Sequence, residues 1–144
     1  MYNSGMLKLK HVTGNYGDLV PIEGKKEIPF EIKRVYYIYN VDQNVRRGFH
    51  SHNQLHQALI CVKGSVKILL KNPNEEEVFL LNDPSEALYV GPMIWREMFD
   101  FSEDAVLLVL ASEYYTEDDY IRNYDFYLEE ASKMASKPFP HPIQ

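Results

Sequence analysis

The 144-residue sequence predicts an all-β domain closed by one C-terminal helix, on three observations. Eleven Tyr and seven Phe enrich it in flat side chains that pack well on a pleated surface. Short apolar or alternating runs recur at close spacing, separated by Gly, Pro and Asn turn signals, as in a sandwich or barrel. Only the end of the chain changes to a helical period.

The elements follow in order. Residues Ile32 to Val41 read as a strand, with Ile32, Arg34, Tyr36 and Ile38 on one face and Lys33, Val35, Tyr37 and Tyr39 on the other. Leu55 to Val62 and Ser65 to Leu70 read as two strands joined by a tight hairpin turn at Lys63-Gly64. A second turn at Asn72-Pro73-Asn74 precedes a strand over Glu77 to Leu81. Asn82-Asp83-Pro84 breaks the chain before Ala87 to Val90, and Gly91-Pro92 breaks it again. Val106 to Ala111 is wholly apolar, the mark of an interior strand. Thr116 with Asp119 resembles a capping box, and Tyr120, Ile121, Tyr124, Tyr127, Leu128 and Ala131 share a stripe, which predicts a helix over about 117–135. Lys137 to Pro142 cannot continue that helix because of its prolines. Residues 1–144 read as a single domain with a flexible Pro-rich tail.

Bulk properties narrow the function. Fifteen Lys and Arg against twenty-one Asp and Glu give a net charge of −6, a poor balance for holding nucleic acid or an anionic membrane. No apolar run reaches the length of a membrane span, and no secretory signal is readable. The single cysteine, Cys61, fits a reducing cytoplasm and excludes an intramolecular disulfide. The apolar strands must cover their edges, which points to a homodimer, with exchange of strands as one way of making it.

The chemistry centres on His50 and His52. Residues two apart on a strand face the same way, with Cβ atoms about 6–7 Å apart, so both imidazoles can converge on one ligand. Gly48, His50-x-His52, Gln57 and Gly64 resemble the first motif of the cupin superfamily, and Gly91-Pro92-Met93-Ile94-Trp95-Arg96 resembles the second. The resemblance implies a cupin-like jelly-roll barrel. Two of its metal-ligand positions are lost, however: Gln57 replaces a carboxylate and Arg96 an imidazole. A guanidinium has no free lone pair to ligate with and repels a divalent ion. No metal is therefore expected, and the histidines are free for acid–base work near neutral pH.

A narrower resemblance spans Leu7 to Tyr127. Tyr16-Gly17-Asp18-Leu19, Ile28-Pro29-Phe30, Ile32 to Ile38, Arg47 to His52, Leu110-Ala111-Ser112 and Asp119-Tyr120-Ile121-Arg122 together resemble the dTDP-4-keto-6-deoxy-D-glucose 3,4-ketoisomerases. That resemblance implies movement of the keto group from C4 to C3 through an enediol, without nicotinamide, flavin or metal. Galacto-forming members carry Arg-Gly and Trp-His-Glu where this chain has Tyr16-Gly17 and Trp95-Arg96-Glu97. The departure implies the gluco-forming, quinovose branch.

Within this reading His50 is the base at C3 and C4, and His52 moves the hydroxyl proton between O3 and O4. The two roles are interchangeable on sequence grounds. Arg96 and Arg47 are candidates to stabilise the enediolate, although Arg47 also suits a solvated turn. Arg34 needs a partner, either a pyrophosphate or one of Glu23 and Glu97. Tyr16 and Tyr37 are candidates for the sugar pocket, with plain packing as the competing reading, and Arg122, placed on the C-terminal helix, is read as structural, with a phosphate contact as the lesser alternative. The competing functions are a sugar-nucleotide 3,5-epimerase, a metal-dependent cupin oxygenase and a non-catalytic sugar-binding cupin.

Overall fold

The computed structural model describes Met1 and residues 3–134. The strands are β1 (Ser4–Lys8), β2 (Val12–Gly14), β3 (Gly17–Leu19), β4 (Arg34–Tyr39), β5 (Arg47–His52) and β6 (Gln57–Lys63). They continue with β7 (Val66–Lys71), β8 (Glu76–Leu81), β9 (Glu86–Val90), β10 (Trp95–Phe99), β11 (Val106–Ala111) and β12 (Tyr120–Ile121), and helix α1 spans Tyr124–Ser132. Two five-stranded sheets, ordered β1-β9-β6-β11-β4 and β12-β5-β10-β7-β8, face each other, and β2 with β3 forms a separate two-stranded hairpin. Every pairing between these strands is antiparallel. This is a jelly-roll barrel of the cupin type.

Alternation places the core. Leu59, Cys61, Val66, Ile68, Leu70, Leu88, Leu107 and Val109 fill the space between the sheets. Residues of the opposite parity in the first sheet, Ala58, Ile60, Tyr89 and Leu110, form a second layer with Leu7, Leu9, Ile28 and Phe30. The N-terminal segment thus keeps that outer face out of water. On the other sheet, Trp95 packs beneath α1 against Tyr127 and Ala131. The Tyr127 hydroxyl lies 3.0 and 2.9 Å from the carbonyls of Lys71 and Met93, fastening the helix to the barrel.

Two local expectations are corrected and one holds. Lys63-Gly64 is not a hairpin: β6 and β7 belong to different sheets, and the turn carries the chain across the barrel. Gly64 is needed there at φ +72°, since a Cβ at this position would fall 2.9 Å from Ala105 Cα. Asn72-Pro73-Asn74 does close a hairpin, in which Asn72 Oδ1 accepts from the amides of Asn74 and Glu75, both at 2.9 Å. The C-terminal helix starts later than the capping-box pattern predicts. Residues Glu117–Asp119 form one 3-10 turn, Tyr120 and Ile121 pair with β5, and Asn123 caps α1 by accepting from the Phe126 amide at 2.9 Å. The Pro-rich tail and the end of the expected helix near residue 135 lie outside the described residues. Among the described residues, no helix is long and apolar enough to cross a membrane.

Candidate active site

A cavity of about 400 Å³ opens between the sheets, lined by Arg34, Tyr36, Arg47, His50, Tyr120 and Arg122 among others. A backbone irregularity shapes it. Across from β10, Arg96 pairs with His50 and Glu97 with Gly48, so Phe49 is an extra residue in β5, with φ +56°. Such a bulge shifts the facing of everything before it by one residue. Strict alternation would put Arg47 outside when His50 is inside; the bulge brings both to the cavity. Gly48 is required beside it, at φ +96°, because a Cβ would fall 2.9 Å from the Arg96 carbonyl oxygen.

The two histidines do converge. Their rings meet edge to face with centroids 4.9 Å apart, and Tyr120 lies 5.0 Å from His50 and 4.3 Å from His52. His50 Nδ1 lies 3.0 Å from the Gly48 carbonyl. A carbonyl can only accept, so Nδ1 carries the proton and Nε2 keeps a free lone pair. The neutral form is strongly favoured: burial first, then the Arg96 charge, lowers the His50 pKa to about 4. Burial and then Arg96 push His52 down as well.

Arg96 lies between the sheets, 1% exposed. Its Nη1 donates to Gln57 Oε1 and its Nη2 to the Ile94 carbonyl at 2.9 Å, while Nε has no partner. No carboxylate pairs directly with it among the described residues, so a buried positive charge stands beside the histidines with the more distant Asp119 opposing it. Gln57 in turn donates from Nε2 to the Tyr36 hydroxyl at 3.0 Å. The Tyr36 proton is therefore free to be donated towards the cavity. Among the described residues no group of three or more His, Cys, Asp and Glu side chains is arranged to hold a metal ion.

Arg34 stands at the cavity wall over the rings of Tyr36 and Tyr115, at 5.2 and 5.5 Å, and its Nε has no hydrogen bond. Neither expected carboxylate serves it: Glu23 pairs with Lys26 at 3.3 Å, and Glu97 with Arg46 at 2.7 Å. Arg122 also reaches the cavity, lying outside α1 and chelated by Glu117 at 2.7 and 3.2 Å. Three guanidinium groups thus line one opening, the arrangement that suits a pyrophosphate.

Two expected pocket residues lie elsewhere. Tyr37 is 63% exposed on the outer face of β4 beside Tyr39, because alternation from Arg34 and Tyr36 turns it outward. Tyr16 is fully exposed at the tip of the β2–β3 hairpin and does not line the cavity of its own chain. Tyr36, Tyr115, Tyr120 and Arg122 do line it. For Tyr36 the signal is present in the sequence, since it shares a face with Arg34 in the alternation.

The low proton affinity of His50 sets a pH dependence. An unfolded histidine takes up its proton near 6.5 and the folded one only near 4. The unfolded state then binds more protons between these values, so the stability contributed is complete above 6.5 and lost as pH falls towards 4. We expect kcat/KM to stay level from neutrality down to about pH 5 while the melting temperature already declines below about 6.5. A kinetic inflection near 6.5 in a pH–rate series would contradict this.

The family model described as FdtA: WxcM-like, C-terminal matches residues 2–132 of the chain. The TDP-4-oxo-6-deoxy-alpha-D-glucose-3,4-oxoisomerase of Aneurinibacillus thermoaerophilus is 46% identical over 129 residues, 90% of this chain and 93% of the relative. The 3,4-ketoisomerase QdtA of Thermoanaerobacterium thermosaccharolyticum, solved as a histidine-to-asparagine variant with TDP-4-keto-6-deoxyglucose, superposes with TM-score 0.91 at 63% identity, covering 92% of this chain and 96% of that one. A tyrosine-to-arginine, arginine-to-histidine double variant of QdtA with TDP superposes equally well, at 62% identity and the same coverage. The TDP-quinovose 3,4-ketoisomerase WlaRB of Campylobacter jejuni gives TM-score 0.87 at 47% identity, over 90% of this chain and 99% of that one.

A cupin barrel with paired histidines and a ring of arginines defines the class of sugar-nucleotide isomerases. Within that class, the chain belongs to the WxcM-like FdtA family of 3,4-ketoisomerases.

Proposed function

We propose that the protein converts TDP-4-keto-6-deoxy-D-glucose into the gluco-configured 3-keto isomer, the quinovose-type product used to make 3-amino-3,6-dideoxyhexoses. The observation that carries this reading is the His50 imidazole, neutral and with Nε2 free, beside a buried Arg96 whose Nε has no partner. His50 takes the C3 proton, and the C–H electron pair forms the C3=C4 double bond. The carbonyl π pair moves onto O4, where the Arg96 charge and the Tyr36 hydroxyl stabilise it. His52 passes the O3 proton to O4. Closure of the C3 carbonyl then returns a proton from His50 to C4. Oxidation at C3 balances reduction at C4, so the conversion needs no external oxidant or reductant. Arg34, Arg47 and Arg122 hold the pyrophosphate.

The working unit in this proposal is a cytoplasmic homodimer. Among the described residues β2 and β3 pair only with each other, and Val12, Tyr16 and Leu19 project into solvent. Val35, Tyr37 and Tyr39 form a second exposed strip on the edge strand β4. Covering the two surfaces with a second copy, by exchange of the hairpins, brings Tyr16 to the partner's cavity. Incubation with TDP-4-keto-6-deoxyglucose and carbon NMR tests the activity. The carbonyl is expected to move from C4 to C3; a 3,5-epimerase would leave it at C4 and a binding protein would change nothing.

A further inference from the structure

Asp119 is the carboxylate in contact with the imidazole pair. It stands where the 3-10 turn runs into β12, and its Oδ2 lies 3.3 Å from His52 Nδ1. The placement is fixed from several directions. Oδ1 accepts from the Gln54 amide at 2.9 Å, Oδ2 accepts from the Leu55 amide at 3.2 Å, and the Asp119 carbonyl accepts from the Asn53 amide at 2.9 Å. The ring it meets is 1% exposed, and neither ring nitrogen of His52 has a hydrogen bond in this state. Around the imidazole stand His50, Arg96, Arg34 and Arg122, all of which oppose a positive charge on it. Among the described residues, Asp119 is the carboxylate within ion-pair distance of it, and so favours a proton on the ring.

We propose that Asp119 is a positioning residue that keeps the His52 proton on Nδ1, leaving Nε2 as the atom that takes the hydroxyl proton of the substrate and passes it on. The inference rests on the ketoisomerase reading for the identity of that proton, but the tautomer it assigns does not. A carboxylate cannot donate, so an imidazole nitrogen beside it is held as N–H. As His52 becomes charged during transfer, the same carboxylate supplies the countercharge that the arginines withhold. At 3.3 Å the two atoms are already within reach, but the N–H is not aimed at the carboxylate; the missing step is a reorientation of the ring, of the kind that substrate binding produces in acid–base sites. The hydrogen bonds to residues 53–55 keep the carboxylate in place.

Asp119 could instead be no more than a clip for the loop 53–55, and the test separates the two roles. Long-range proton–nitrogen NMR on ¹⁵N-histidine protein saturated with TDP shows which nitrogen of His52 carries the proton; signals are assigned by substituting the other histidines one at a time. The wild type is expected to show Nδ1–H. Asp119→Asn can still accept from the Gln54 amide through Oδ1, and its backbone carbonyl still accepts from the Asn53 amide, but its amide nitrogen, in the place of Oδ2, is a donor and gives up the Leu55 amide. With it, the His52 proton is expected on Nε2, and kcat to fall about 10–100-fold, the usual cost of losing such a supporting group. KM and the affinity for TDP are expected to stay within about twofold. Nε2–H in the wild type overturns the proposal whether or not the variant folds. So does an unchanged tautomer in Asp119→Asn, or an equal loss of TDP affinity and turnover, which is what a loop clip gives. If the wild type shows Nδ1–H yet leaves the keto group at C4, the tautomer assignment stands and the ketoisomerase reading is the one that fails.

Discussion

Replacing His50 by asparagine is expected to lower turnover about 10²–10⁴-fold, the usual loss when a general base is removed, while TDP binding persists. The asparagine is close in shape, and its Nδ2 can donate to the Gly48 carbonyl in place of Nδ1. Folding should therefore hardly change, and the bulge at Phe49 keeps its geometry. The binding groups Arg34, Arg47 and Arg122 sit on other parts of the cavity wall, so the loss belongs to kcat. Single-turnover kinetics with a parallel TDP titration measure both. Near-normal turnover would move the base to a cavity tyrosine, with Tyr36 the first candidate because its hydroxyl is already held by Gln57.

The second large effect is on stereochemistry. Tyr16→Arg together with Arg96→His is expected to turn the product from gluco towards galacto. Configuration at C4 is decided by the face on which that carbon receives its proton. Two competing protonation barriers need differ by only about 1.4 kcal/mol for a tenfold preference. Exchanging Arg96 for an imidazole removes the hydrogen bonds to Gln57 and Ile94, which frees Gln57 and through it Tyr36 to reorient. In the proposed hairpin-exchanged dimer Tyr16 reaches the cavity from the second copy, so either single change is expected to give a mixture. Borodeuteride reduction of the product, followed by proton couplings at C4, reads the outcome. A galacto product from the unaltered protein would sink the assignment.

Much of the site is visible in the sequence, and what is hidden has identifiable causes. His50 and His52 share a face because two residues on a strand always do. Gln57 and Arg96 at former ligand positions announce the changed chemistry without any structure. Tyr36 is equally legible: the alternation that puts Arg34 inward puts Tyr36 inward and Tyr37 outward. Arg47 is not, because its inward facing depends on a bulge at Phe49 in a left-handed conformation that composition does not signal. The Lys63-Gly64 turn misleads for a topological reason, since successive strands of a jelly roll often lie in opposite sheets and local residues read the same either way. Asp119 passes for part of a capping box because that motif is short-range. Pairing of β12 with β5 is long-range, and it overrides the helical pattern at Tyr120 and Ile121. Tyr16 shows a different limit: it is exposed and away from the cavity of its own chain, and alternation within one chain carries no information on a second.

The claim on which everything else depends is that a proton leaves C3 and one arrives at C4 while C5 is untouched. A proton NMR time course with TDP-4-keto-6-deoxyglucose in D₂O tests it directly. The expected product is a 3-keto sugar carrying deuterium at C4, supplied by solvent-equilibrated His50, with the C5 proton retained throughout. Deuterium entering at C5 with the ketone still at C4 would contradict it and assign epimerase chemistry to the same barrel.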